Sequence, residues 1–344
     1  MARPVLLVGS IPLQSSEVVF REVSDRIGPL LKRVPDGETG ARSAWTAWQG
    51  GVIGKAEGVV RSGERDLHGL AYPTYALKPH ARAKDIEFGP LGYASSARDS
   101  YATFCRLRAQ GANRRARFQI SLPTPLAVVQ RFFWGSPALP EICAVYEQAL
   151  LADVDEILSA IPHDDLSIQW DIAVEFHRIW EKPGSDLAKQ FPSEGLIHAI
   201  ARLSDHIPMP VELGWHFCYG DAGHKHFVEP RDTKLMTDIA NRLIGATRRS
   251  ANWLHLPVPR DRNDTAYFAP LAGLELRPQT DLFLGLIHLN DGLEGACRRM
   301  AAADTVVTDY GVATECGFGR RPPHTILPLL DLHRTVAQQS PERR

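Results

Sequence analysis

Short β-rich runs alternate along this chain with longer amphipathic stretches, and that alternation narrows the fold more than any other property of the sequence. Strands are expected at Val5–Val8, Arg117–Ser121, Leu166–Trp170, Pro210–Trp215, Trp253–Val258, Phe283–Leu289 and Thr305–Thr308, with an eighth near Leu31–Val34. Between them the 3.6-residue periodicity predicts helices over Ser15–Leu31, Glu141–Ile161, Gly195–Asp205 and Asp232–Gly245 and around Leu293–Ala301. Strand, turn, helix, strand in succession is the signature of a parallel sheet with covering helices. Eight such units predict an α/β fold of one domain, a (β/α)8 TIM barrel over residues 1–344, in preference to an open doubly wound sheet. Residues 50–93, rich in Gly, Pro and charge, are expected to be a loop excursion, and 338–344 a frayed tail.

The composition removes several function classes. With 39 basic against 40 acidic side chains, the chain has no electrostatic pull towards nucleic acid. Arg114–Arg115, Arg248–Arg249 and Arg320–Arg321 are too short for polyanion-binding stripes and read as solvated faces, with a phosphate or sulfonate anchor the less favoured reading. No apolar stretch is long enough to span a bilayer, and Pro4–Gly9 lacks the features of an export signal. Five cysteines, an odd number without a framework pattern, point to a reducing, cytoplasmic setting. Cys105, Cys143 and Cys297 fall in helix-like segments and read as packing. Gly9 has no G-x-G-x-x-G context, so nucleotide binding is rejected.

The suggestive polar residues follow the strands: Ser10, Glu38, Thr124, Asp171, His216, Cys218, His288 and Cys316. In a barrel, all of these positions lie on the face at the strands' C-terminal ends, where catalytic groups converge. His216 and Cys218 are two apart, so in extended backbone an imidazole and a thiolate point to one side. With Cys316 they make a one-His, two-Cys set whose softness suits Zn²⁺, and three protein ligands leave a position for substrate. Read alone, H-x-C is equally a hydrogen-bonded core histidine beside a buried thiol. Glu38 could likewise be a turn carboxylate, Asp171 a helix N-cap and His288 a bonded core histidine. His224 and His226 read as surface residues or a lid, and Trp45, Trp48 and Phe132–Trp134 as packing or pocket wall.

Taken together, these segments resemble the catalytic half of cobalamin-independent methionine synthase and its relatives, including the zinc enzymes that alkylate coenzyme M. The resemblance covers nearly the whole chain in order. Gly9-Ser10-Ile11-Pro12 resembles the family's Gly-Ser-aromatic-Pro turn, Gly37-Glu38 its Gly-Glu pair, and Pro123-Thr124 its Pro-Val-Thr turn. Gln169-Trp170-Asp171-Ile172-Ala173 resembles the segment whose aspartate holds the substrate amine. His216-Phe217-Cys218-Tyr219 resembles the zinc motif, Ile287-His288 the proton donor, and Cys316-Gly317 the second zinc cysteine.

The resemblance implies a barrel of the methionine synthase/uroporphyrinogen decarboxylase type, a zinc ion, and attack by a zinc-bound thiolate on an electrophilic carbon. His216, Cys218 and Cys316 would ligate, His288 would protonate the leaving group, and Ser10, Glu38, Thr124 and Asp171 would hold substrate. The sequence departs from the pattern in two places. Trp253–Asp261 offers no zinc glutamate, leaving His255, Asp261 or the substrate as a fourth ligand, and Asp171 lacks the following Glu-Pro. A second, N-terminal barrel is also missing. The expected activity is therefore methyl or alkyl transfer to or from a small thiol rather than methionine synthesis itself, and the expected partners are that thiol and an alkyl donor. Self-association as a homo-oligomer is left open. Carbon–sulfur lysis in the same family, a zinc-free uroporphyrinogen decarboxylase-like enzyme with Arg and Asp in place of the cysteine pair, and a non-catalytic binding protein are the alternatives.

Overall fold

The computed structural model describes residues 2–67, 70–220 and 226–339. Seven parallel strands form one curled sheet, in the order β1 (Arg33–Pro35), β4 (Arg117–Pro123), β5 (Leu166–Ile172), β6 (Glu212–Phe217), β7 (Trp253–Pro257), β8 (Asp281–Ile287) and β9 (Gly311–Thr314). The remaining strands, β2 (Val59–Leu67) and β3 (Leu70–Leu77), form a separate antiparallel hairpin. Helices such as Ser16–Ile27, Leu139–Ala160, Ser193–His206 and Lys234–Ala246 cover the convex face. Ser15 caps the first of them, its hydroxyl accepting from the Val18 amide at 3.3 Å. No helix among the described residues is long and apolar enough to cross a membrane.

Alternation along each strand sorts side chains between the two faces. In β6, Trp215 points outward, its indole N–H donating to Ser204 on the helix Ser193–His206 at 3.0 Å, while Gly214 and His216 face the concave side. Register then builds layers. Gln169, Gly214 and Trp253 stand level on β5, β6 and β7, and the Trp253 indole occupies the space above Gly214. Trp253 also packs with Leu6, Phe283 and Ala313 in a plug on the concave face, and the Arg33 guanidinium lies 4.2 Å from its ring. One step further along the same strands, Asp171, His216 and His255 stand level above that plug.

Several elements differ from expectation. Val5–Val8 makes no ladder: Val5 forms single parallel bridges to Leu31 and to Val312, beside the two edges of the curled sheet. The final strand is Gly311–Thr314 rather than Thr305–Thr308, because the amides of Val306 and Val307 both bond the Ala303 carbonyl and close the preceding helix. Strand β6 extends through Phe217, so His216 lies inside it, as Asp171 lies inside β5. The 50–93 segment is organised by the β2–β3 hairpin rather than being loop throughout. Residues 338 and 339 follow the last helix, while 340–344 and His224 lie outside the described residues. Arg249 is no solvated side chain; it is buried and donates to the carbonyls of Ile207 and Val211.

Candidate active site

The ends of β6 and β9 bring two thiols and an imidazole together. Cys218 follows β6 and is anchored by its amide to the Ile172 carbonyl at 3.1 Å. Cys316 sits in the turn after β9, where the Thr314 hydroxyl donates to the Cys316 carbonyl at 2.7 Å. The ligand atoms of His216, Cys218 and Cys316 lie within 4.8 Å of one another. Sγ of Cys316 is 3.7 Å from Sγ of Cys218 and 3.7 Å from Nε2 of His216. A tetrahedral zinc with bonds of about 2.3 Å to sulfur and 2.0 Å to nitrogen has edges of about 3.5–3.8 Å. The donor set and these two edges therefore fit zinc.

The tautomer of His216 follows from its neighbours. His255 places Nε2 2.9 Å from the Thr314 carbonyl, which can only accept, so that nitrogen carries a proton. Burial holds the His255 imidazole neutral, its pKa pushed down to about 4, so its Nδ1 has a lone pair. His216 Nδ1, 2.7 Å away, must donate to it, which leaves the His216 Nε2 lone pair facing Cys316. Both ring nitrogens of His255 are thus occupied; it orients the His216 imidazole and has no lone pair free for a metal. Asp261 is exposed and paired with Arg260 at 3.2 Å, away from the thiols. Among the described residues no fourth protein ligand joins the three.

Beside this triad a cavity of about 610 Å³ opens, lined at its inner end by Ser10, Glu38, Trp45, Asp171 and all three candidate ligands. Gly37 (φ +81°) and Glu38 (φ +49°) both adopt left-handed backbone; a Cβ at Gly37 would meet Val19 at 2.7 Å. The Ile11 amide bonds the Gly37 carbonyl at 2.8 Å and the Phe318 amide bonds the Ser10 carbonyl at 2.7 Å. Those two bonds draw Ser10, Glu38 and the Cys316 turn together, and the Ser10 hydroxyl donates to the Glu38 carboxylate. Asp171 accepts from the Trp45 indole at 3.1 Å and from the Gln169 amide at 2.9 Å. Burial pushes Glu38 up to about 7 and raises Asp171 well above the usual carboxylate range, with Glu38 adding repulsion. Two buried carboxylates facing one cavity favour a cationic group there.

Two expected site residues lie elsewhere. Thr124 is buried, caps the helix Pro125–Phe132, and donates to Glu175 at 2.6 Å; it does not line the cavity. His288 is also behind the wall, with Nε2 2.8 Å from the Val258 carbonyl and Nδ1 3.3 Å from Glu315. Burial holds its pKa down to about 3. His226 is buried rather than on the surface, 3.8 Å from the same Glu315. Arg131 and His177 also line the cavity, and Gln169 braces Asp171, although no motif assigns any of the three a role. Only Gln169 carried a signal, standing two residues before Asp171 on the same strand face.

A curled parallel α/β sheet carrying an imidazole–dithiol cluster at its strand ends defines the class of protein. Solved structures share that fold over almost their full length. A B12-independent methionine synthase from Shewanella sp. W3-18-1, in complex with selenomethionine, is 14% identical, with 98% of this chain and 97% of that one covered and a TM-score of 0.60. A protein assigned as a vitamin-B12-independent methionine synthase from Listeria monocytogenes is 15% identical, with 98% of each chain covered and a TM-score of 0.58. A methyltransferase from Methanosarcina mazei is 9% identical, with 96% of this chain and 95% of that one covered and a TM-score of 0.50. At such identities the likeness establishes the fold. No protein-family model matches the sequence, and no curated protein matches it.

Proposed function

We propose that the chain is a zinc-dependent transferase that moves a methyl or other alkyl group to or from a small thiol, on a single closed (β/α)8 barrel. The observation that carries the reading is the His216–Cys218–Cys316 cluster, set in the same cavity as Glu38 and Asp171. The names of the neighbouring structures, methionine synthase and methyltransferase, are consistent with it. Closure of the barrel is supported by the bridges from Val5 to both Leu31 and Val312, which place the N-terminal segment between β1 and β9.

His216, Cys218 and Cys316 would hold the zinc ion. The ion supplies a lowered pKa for a thiol, so that the thiolate exists near neutral pH. The protein's own residues do the rest. His255 fixes the ligand tautomer of His216. Glu38 and Asp171 hold a cationic amine on the substrate and thereby aim its thiol, with Ser10 and Trp45 fixing the two carboxylates. His288, expected as the proton donor, would instead brace Glu315 behind the cavity wall: it is neutral, its Nε2–H donates to the Val258 carbonyl, and its Nδ1 lone pair faces Glu315 3.3 Å away, so the departing group takes its proton from solvent. Thr124 contributes by bracing Glu175 beneath the wall. The decarboxylase alternative calls for Arg and Asp in place of the cysteine pair, whereas here both thiols are present 3.7 Å apart.

Cobalt substitution tests the reading. The cobalt form should show thiolate-to-metal absorption from two cysteines, and a small thiol with an amino group should intensify it. Cobalt spectra that no thiol perturbs would contradict the proposed activation.

A further inference from the structure

The cavity is strongly polarised. Besides Glu38 and Asp171, it is lined by Arg65, Arg131, Arg178, Lys182 and Arg320, a basic wall beside the two carboxylates. These cations come from separate parts of the chain: Arg65 from β2, Arg131 from the helix Pro125–Phe132, Arg178 and Lys182 from the π-helical turn Glu175–Trp180 and its end, and Arg320 from the turn after β9. Positive charges gathered on one cavity repel each other, a cost that a bound anion would offset.

Among the described residues no carboxylate pairs with Arg65, Arg131 or Arg178. Burial and two further cations, Arg320 and Arg65, act to lower the pKa of Arg131, with Tyr72 as its counterweight. Arg178 is lowered by burial and by Arg65, and Arg65 by burial. The guanidinium planes are held by aromatic rings instead of carboxylates. Arg65 and Arg178 both lie over Trp134, 3.3 and 4.3 Å from its centroid, and Arg131 lies 5.0 Å from Tyr72. A second observation points the same way: the buried Nε of Arg131, a donor, has no hydrogen-bond partner, and Arg131 lines the cavity. Trp45 separates the two poles, its ring 6.0 Å from Arg131 and its N–H on Asp171.

We propose that this basic wall is an oxyanion site that anchors a carboxylate, sulfonate or phosphate group carried by one of the two substrates, away from the metal ligands. The inference deepens the transferase reading and rests on it for there being two substrates. Arginine suits the task because its planar fork binds an oxyanion through two parallel hydrogen bonds. The reacting molecule is then held at both ends, its cationic part on Glu38 and Asp171 and an anionic part on the arginines, or the second substrate is steered in by its own anion.

Calorimetric titration of sulfate and of inorganic phosphate, at constant ionic strength in chloride, tests the site on wild type, Arg65→Gln, Arg131→Gln, Arg178→Gln and Cys316→Ser. Wild type and Cys316→Ser should bind alike, and each arginine variant should bind roughly tenfold more weakly. Arg178→Lys, which keeps the charge, should fall between them and controls for folding. The Cys316→Ser arm keeps the outcome separate from the zinc reading, since a metal-free protein would still bind the anion. Titration of 3-mercaptopropionate against 3-mercaptopropan-1-ol assigns the anion. A preference for the carboxylate that vanishes in Arg178→Gln puts it on the thiol; equal binding of the two, with sulfate still sensitive to the arginines, puts it on the alkyl donor. Equal anion affinity in wild type and all arginine variants, no anion binding at all, or loss of binding in Cys316→Ser would overturn the proposal.

Discussion

A single proton fixes much of the chemistry open to His216. The hydrogen-bond relay from the Thr314 carbonyl through His255 leaves His216 Nε2 with its lone pair on the thiol side. Replacing His255 with Leu removes the acceptor for the His216 N–H while filling the space, so zinc affinity should fall roughly 10–100-fold in a chelator competition. An unchanged affinity would mean that the relay is only packing. Glu38 supplies a second residue-scale prediction. Its pKa is raised from 4.5 to about 7, chiefly by burial, so folding favours the neutral acid. Its stability contribution is therefore complete below 4.5 and is lost as pH rises through about 7. Glu38→Gln, neutral at every pH, should stabilise the ligand-free protein at about pH 8 by at most about 3 kcal/mol and change little at about pH 4. Urea unfolding at the two pH values measures this; a gain at the acid end would reverse the assignment. Of these features, His216 and Cys218 were legible in the sequence, because two-residue spacing puts both side chains near one point. His255 suggested only a spare ligand, since its partner is set by the register of β6 against β7, which no local pattern reveals.

Strand β6 illustrates how an element serves the site from beneath. Gly214 leaves room for Trp253, and a Cβ there would stand 1.8 Å from the indole. Gly214→Ala must displace that ring or tilt the strand two residues before His216. It should cost about 1–3 kcal/mol in urea unfolding and weaken zinc binding as well; an alanine that is neutral in both would show that the plug is loosely packed. The helix Pro125–Phe132 is held from its first turn, where Thr124 caps the Ala127 amide and donates to one oxygen of buried Glu175. Thr124→Val should lose about 2 kcal/mol through the cap and the stranded carboxyl, with little effect on zinc content. At this scale the sequence was most readable where strand and helix periods change abruptly, as at Leu166–Trp170 followed by Asp171. It was least readable at the last strand. Val306 and Val307 look like strand residues, yet their amides end a helix, and the true strand starts at Gly311. The basic wall was equally hidden, because Arg65 and Arg178 meet only through a hairpin and a π-helical turn far apart in the chain.

For the whole molecule, the alternation of strands and helices predicted a parallel α/β sheet, expected as a closed (β/α)8 barrel, and a curled sheet of seven parallel strands is what the described residues form. The alternation did not anticipate that the N-terminal segment joins the sheet edges by isolated bonds, the Val312 amide on the Pro4 carbonyl at 2.9 Å among them, because a bridge looks no different in sequence from a full ladder. Val5 donates to the Leu30 carbonyl at 3.0 Å and Leu6 to the Val312 carbonyl at 3.0 Å. Leu6→Pro removes one of these donors and should destabilise the protein by about 3 kcal/mol or more. The thermal midpoint should fall accordingly; an unaltered midpoint would show that the segment does not tie β1 to β9. The central claim concerns the cluster itself and is tested most directly by metal content. Elemental analysis of protein purified without chelator should find close to one zinc per chain in the wild type and a sharp loss in Cys316→Ser. A wild type free of zinc, or a content that the substitution leaves untouched, would contradict the account.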